Sequence, residues 1–107
     1  MAKIETIVIS AEVEPLPSKA DAAALALQRL GFRILSMGLT ISVQGPKRLW
    51  ESAFNVSFKR RKKTIIRGVK GGKAVYYEAQ TDSLHIPEEL RTLIGAVMFL
   101  EPPEFHE

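Results

Sequence analysis

"ISVQGPKRLWESAFNVSF", residues 41–58, runs from a strand pattern through a Gly-Pro break and a short helical pattern into a second strand pattern. Before the break, Ile41 and Val43 alternate with Ser42 and Gln44, the period-two signature of a strand with one apolar face. Gly45-Pro46 stops that strand. Pro46 suits the first position of a helix, where its fixed φ is already helical and its missing N–H is not needed. Leu49, Trp50, Ala53 and Phe54 follow at i, i+1, i+4 and i+5, a stripe two turns long. Asn55 tolerates the left-handed conformation that closes a helix, and Val56 to Phe58 begins the next strand.

Working outward, residues 3–13 place Ile7, Ile9, Ala11 and Val13 on one side of a strand. Ser18 is read as the N-cap of a helix, with Asp21 favoured near its positive end. Ala20, Ala23, Ala24, Leu27 and Leu30 form its apolar stripe, and Gly31 ends it. Residues 32–37 and 39–44 are two β-rich runs meeting at Gly38, as a tight hairpin or a bulged strand, with Leu39, Ile41 and Val43 on one face. The order is strand, helix, strand, strand, helix, strand. It predicts an α+β fold, the ferredoxin-like βαββαβ sandwich: one antiparallel sheet with helices on one face. Val56 to Phe58 is expected to start the strand that closes this sandwich.

Downstream, "RRKKTIIRGVKGGKAVYYEA" (60–79) reads as a hairpin with its tip between Gly68 and Gly72. Pro87 opens a short helix with Leu90, Leu93 and Ile94 inward and Gly95 at its end. Residues 96–100 supply a last strand, and "EPPEFHE" (101–107) an extended tail. The expected organisation is a single domain over 1–107 with its core at about 3–100.

Composition narrows the function classes. The chain has 107 residues, 46% of them apolar and none of them cysteine, so disulfides, thiolate metal sites and a cysteine nucleophile are excluded. The first residues place Glu5 where a signal peptide would be apolar, and the longest apolar run, Ala96 to Leu100, is too short for a bilayer. A soluble, cytoplasmic protein is expected. The net charge of +3 is unevenly spread: residues 52–77 hold eight basic residues and no acid, and residues 78–107 hold seven acids and one arginine.

Candidate chemistry is sparse. His85 and His106 have no ligand-like spacing; they read as a residue ahead of a helix and a solvated tail residue. Glu88 and Glu89 suit the first turn of a helix by their charge. "GVKGGK" (68–73) lacks the spacing of a phosphate loop and no helix follows it. No serine stands in a nucleophile-elbow context. The reading is therefore non-catalytic, with no cofactor and no metal. The strongest raw signal is the basic hairpin: Lys59, Arg60, Arg61, Lys62, Lys63, Arg67, Lys70 and Lys73. These side chains suit a protein partner. Eight such charges could also neutralise nucleic-acid phosphates, while lysines on a hairpin edge equally discourage aggregation.

Taken together, "GLTISVQGPKRLWESAFNVSF" (38–58) and "VYYEAQTDSLHIPEELRTLIGAVMFLE" (75–101) resemble the activation domain of the sedolisin and kumamolisin serine-carboxyl peptidases. The matching positions are Gly38-Leu39, Gly45, Ala53-Phe54, Tyr76 or Tyr77, Ile86-Pro87 and Leu90, over roughly residues 22–100. The resemblance implies a ferredoxin-like prodomain that helps a catalytic domain fold and blocks its cleft. The family's catalytic Ser, Glu and Asp belong to the domain that follows, so none is carried over. Gly38, Leu39, Gly45, Pro46, Trp50, Ala53, Phe54, Pro87 and Leu90 are then structural. By the same resemblance the tail, with Glu101, Glu104 and Phe105, leads toward the peptidase cleft. The expectation is a stand-alone protein-binding module acting as inhibitor or chaperone of a peptidase. The alternatives are a scaffold component that binds itself or another structural protein, basic hairpin to acidic end, and nucleic-acid binding through residues 59–73.

Overall fold

The computed structural model describes residues 7–64 and 73–100. Strand β1 (Val8–Pro15) leads to helix α1 (Ala20–Leu30), then strands β2 (Arg33–Met37) and β3 (Ile41–Pro46) and helix α2 (Lys47–Phe54). Strands β4 (Ser57–Thr64) and β5 (Lys73–Gln80), a 3-10 turn (Glu88–Leu90) and strand β6 (Ile94–Phe99) complete the α+β fold. Two antiparallel sheets form among the described residues. One has four strands in the order β2-β3-β1-β6; the other is the β4–β5 ribbon alone.

Alternation sets the faces of the larger sheet. Ala11 and Val13 of β1 and Ile41 and Val43 of β3 point to one side and are buried. Both helices pack there, α1 through Ala23, Ala24 and Leu27, and α2 through Trp50 and Phe54. The Trp50 indole N–H donates to the Ile9 carbonyl at 2.9 Å, so its one polar atom is satisfied inside the core. Aromatic rings then run through the molecule. Phe32 lies 4.4 Å from Trp50, Trp50 5.0 Å from Phe99, and Phe99 5.5 Å from Phe58, centroid to centroid. Gly45 is required under that column, because a Cβ there would come 2.6 Å from the Phe32 ring.

Local signals are met closely at the helix ends. Gly31 (φ 109) and Asn55 (φ 53) both take the left-handed conformation that caps α1 and α2. Pro46 departs from its reading: it is the extended cap (φ −60, ψ 144) that ends β3 and not the first helical residue, so α2 starts at Lys47 with no loop between.

Four further readings need correction. Ser18 is not the N-cap of α1. It sits at φ 65 in a turn closed by Lys19 N–H to the Leu16 carbonyl, and Lys19 takes the cap position. Leu39 does not join the inward set of β3: the turn at 38–40 lifts it off the strand and leaves it 99% exposed. Gly95 does not end the helix that Pro87 opens. That helix is a single 3-10 turn, and Gly95 lies inside β6 beside an irregularity in the β1 register at Glu14/Pro15.

The fourth correction concerns the sheet. The strand after α2 does not close it; β6 takes that place beside β1. From Lys59 to Lys62 every side chain of β4 is cationic and exposed, so that stretch has no apolar face to lay on the helices. Strand β6 has one, with Ile94 buried and Val97 and Phe99 packed against the core.

Candidate functional site

The face of the larger sheet turned away from the helices is polar at its centre. Glu12 projects from it on β1, opposite Ser42 on β3. The Ser42 hydroxyl donates to one carboxylate oxygen at 2.7 Å, and the Thr40 hydroxyl to the other at 2.6 Å. These two bonds, Ser42's first and Thr40's second, hold the Glu12 carboxyl below its ordinary value. The result is a fixed negative charge mid-sheet. Ser10, Glu14 and Gln44 share this face by alternation, and Met98 borders it, 42% exposed, opposite Glu12.

At the β6 side the two sheets meet without pairing. Phe58 packs edge-on against Phe99 and docks the base of the ribbon on the larger sheet. Beside it lies a cleft of about 330 Å³, lined by Tyr77, Ala79 and Thr81 on the ribbon side and by residues 97–100, Met98 included, on the other. At the far side, β2 pairs only with β3 among the described residues, and its Leu35 and Met37 are each 47% exposed.

The ribbon collects part of the basic set. Lys59, Arg60, Arg61 and Lys62 lie on β4, opposite Glu78, Tyr77, Tyr76 and Val75 of β5. Facing pairs share a face, so Arg60, Lys62 and Tyr77 point one way and Lys59, Arg61, Tyr76 and Glu78 the other. Arg61 reaches Glu78 at 3.2 Å. Glu78 is held below its ordinary value by hydrogen bonds from Gln80 and then Arg61. Lys63 and Lys73 lie in the paired strands, opposite Ala74 and Thr64. Arg67, Lys70, Glu101, Glu104 and Phe105 lie outside the described residues.

The structural set is dispersed through the body as scaffold. Trp50, Phe54 and Leu90 are buried, Ala53 packs against the core, and Gly45 and Pro46 form the corner between β3 and α2. Gly38 sits in the β2–β3 turn, its N–H bonded to the Thr40 carbonyl, and Pro87 is the cap before the 3-10 turn.

His85 lies in the loop before that turn. Its backbone N–H donates to the Phe54 carbonyl at 2.7 Å. Its Nε2 lies 2.9 Å from the Arg91 guanidinium, which can only donate, so Nε2 accepts. Among the described residues no group of three or more His, Asp or Glu side chains is placed to hold a metal ion. Among the same residues no helix is long and apolar enough to cross a membrane.

Sequence reasoning missed Glu12 with its two hydroxyl donors, and Phe32, Phe58 and Phe99. Ser42 was legible as the polar side of β3, and Thr40 stands just ahead of that strand. Their meeting with Glu12, 28 and 30 residues away, depends on the β1–β3 register.

Comparison with models of protein families, with curated proteins and with solved structures finds no match to this chain.

Proposed function

We propose that the chain is a protein-binding module of ferredoxin-like, propeptide type, docking on a peptidase through the sheet face that its helices leave uncovered. The uncovered face with its anchored Glu12 carboxylate is the observation that carries this reading. Sheet order β2-β3-β1-β6 with both helices on one side suits the ferredoxin-like arrangement, the β4–β5 ribbon being an insertion ahead of the last strand. The positions of the sedolisin-type resemblance lend support by their roles. Gly45 lies beneath the Phe32 ring, Ala53-Phe54 end α2, and Ile86-Pro87 precede the turn that buries Leu90. In a module of this kind the ordered carboxylate gives specificity and the Met98 border gives apolar area.

The test is inhibition. A sedolisin-type serine-carboxyl peptidase titrated with the purified chain is expected to lose activity in the micromolar range. Glu12→Lys should weaken inhibition at least tenfold with circular dichroism unchanged. Full peptidase activity at high micromolar concentration overturns the inhibitor role.

A second reading, an assembly component, is favoured by the edge of β2. Exposed Leu35 and Met37 on a strand that, among the described residues, pairs on one side only suit edge-to-edge association with another copy. Sedimentation of wild type and Leu35→Lys separates the two readings: a wild-type monomer at high concentration removes the second.

A further inference from the structure

The ribbon is chemically unlike the body. Four consecutive exposed side chains, Lys59, Arg60, Arg61 and Lys62, are cationic, and strand alternation sends two to each face. Glu78 is the only acid on either strand. It stands toward the docked end and is engaged by Arg61 and Gln80. Among the described residues the body meets the ribbon toward its base, where Phe58 packs on Phe99, Ala79 packs against the core and Tyr77 lines the cleft beside β6. Each strand has eight residues, so the paired length is roughly 26 Å at about 3.3 Å per residue.

Charge on both faces decides what this element can bind. A flat anionic surface, such as an acidic protein patch, is met by one face and leaves the other two cations in water. A groove with a phosphate wall on each side engages both faces at once. The major groove of B-form DNA, about 12 Å wide, admits a two-stranded β-ribbon. The major groove of an A-form duplex is too narrow for side chains to read. The geometry points to duplex DNA as the ligand of the β4–β5 ribbon. Arg60 and Lys62 reach one phosphate wall, and Lys59 and Arg61 the other. This is backbone recognition: positive side chains position the ribbon, and no sequence preference follows from them. It uses a surface separate from the sheet face proposed for a peptidase.

The experiment is fluorescence anisotropy of a labelled 24-base-pair duplex with the full chain at several salt concentrations. Four phosphate contacts predict a log–log salt slope near −3.6, or about 150-fold weaker binding at 200 mM than at 50 mM salt. Arg60→Ala with Lys62→Ala, and Lys59→Ala with Arg61→Ala, should each flatten the slope by about 1.8. Trp50 fluorescence in the buried core checks that both variants are folded. A slope that only one pair changes overturns groove entry, because a one-faced binder does that. Equal or tighter binding of the same strand as single-stranded DNA, of an RNA duplex or of polyglutamate overturns duplex DNA as the ligand. Absence of binding at 50 mM salt overturns the proposal outright. Glu12→Lys should leave DNA binding within about twofold of wild type, so failure of the peptidase reading and failure of this one are told apart.

Discussion

The four-stranded sheet and the two-stranded ribbon are both antiparallel, yet they differ in what holds them. In the larger sheet one side of each central strand is apolar and buried, as Ala11, Val13, Ile41 and Val43 show, and the other side is polar. Helices cover the first side, and the hydrophobic effect locks the register, since a one-residue slip would turn the apolar set outward. In the ribbon, Arg60 and Lys62 occupy one face and Lys59 and Arg61 the other, so among the described residues Lys59–Lys62 give β4 no such lock. A strand can therefore pair without packing. What it then offers is charge at a distance from the body rather than core.

The largest break in this contrast comes from α2. Phe54 is fully buried against Phe32 and Trp50. Phe54→Ala should cost about 3–5 kcal/mol in urea unfolding, a large share of a small domain's stability. A loss under about 1 kcal/mol would mean that the aromatic column is not what holds the helices to the sheet.

A smaller effect is expected from acid. The Ser42 and Thr40 hydroxyls lower the Glu12 carboxyl in the folded chain, whereas in the unfolded chain it returns to its ordinary value near 4.5. The folded state thus gains stability above that ordinary value and loses it as pH falls through the depressed one. Urea midpoints measured between pH 7 and pH 3 should fall less steeply for Glu12→Gln than for wild type. Parallel curves would remove Glu12 as a stabilising carboxylate.

The smallest effect belongs to the ribbon. Arg60→Ala and Lys62→Ala should each shift stability by no more than about 0.5 kcal/mol, because both side chains are exposed. A loss comparable to that of Phe54→Ala would show that the ribbon is part of the cooperative core, and the contrast would fail.

Much of the scaffold was legible because its signals are local. The stripe of Leu49, Trp50, Ala53 and Phe54 lies within two turns, and α2 spans Lys47–Phe54. The ribbon was legible as a hairpin from its charge and from Gly68 to Gly72, and β4 pairs β5 over residues 57–64 and 73–80. Leu39 misled because apolar alternation continues through a turn as readily as along a strand. Ser18 misled because a good capping side chain cannot show that its own backbone is committed to a left-handed turn. Glu12 gave no sign at all: an acid on the polar side of a strand looks like any other until the strand bearing its donors is known.

The sequence by itself determined α1 and α2, their closures at Gly31 and Asn55 and the alternation of β1 and β3, since helix stripes, strand periodicity and left-handed caps act over a few residues. Only the tertiary structure decided that β6 rather than β4 completes the sheet beside β1, that Glu12 meets Thr40 and Ser42, and that Phe58 ties the ribbon to Phe99. The physical reason is that a strand's side-chain period says which face is apolar and nothing about its neighbour. That choice is made by the whole core, where a strand with an apolar face outcompetes one charged on both.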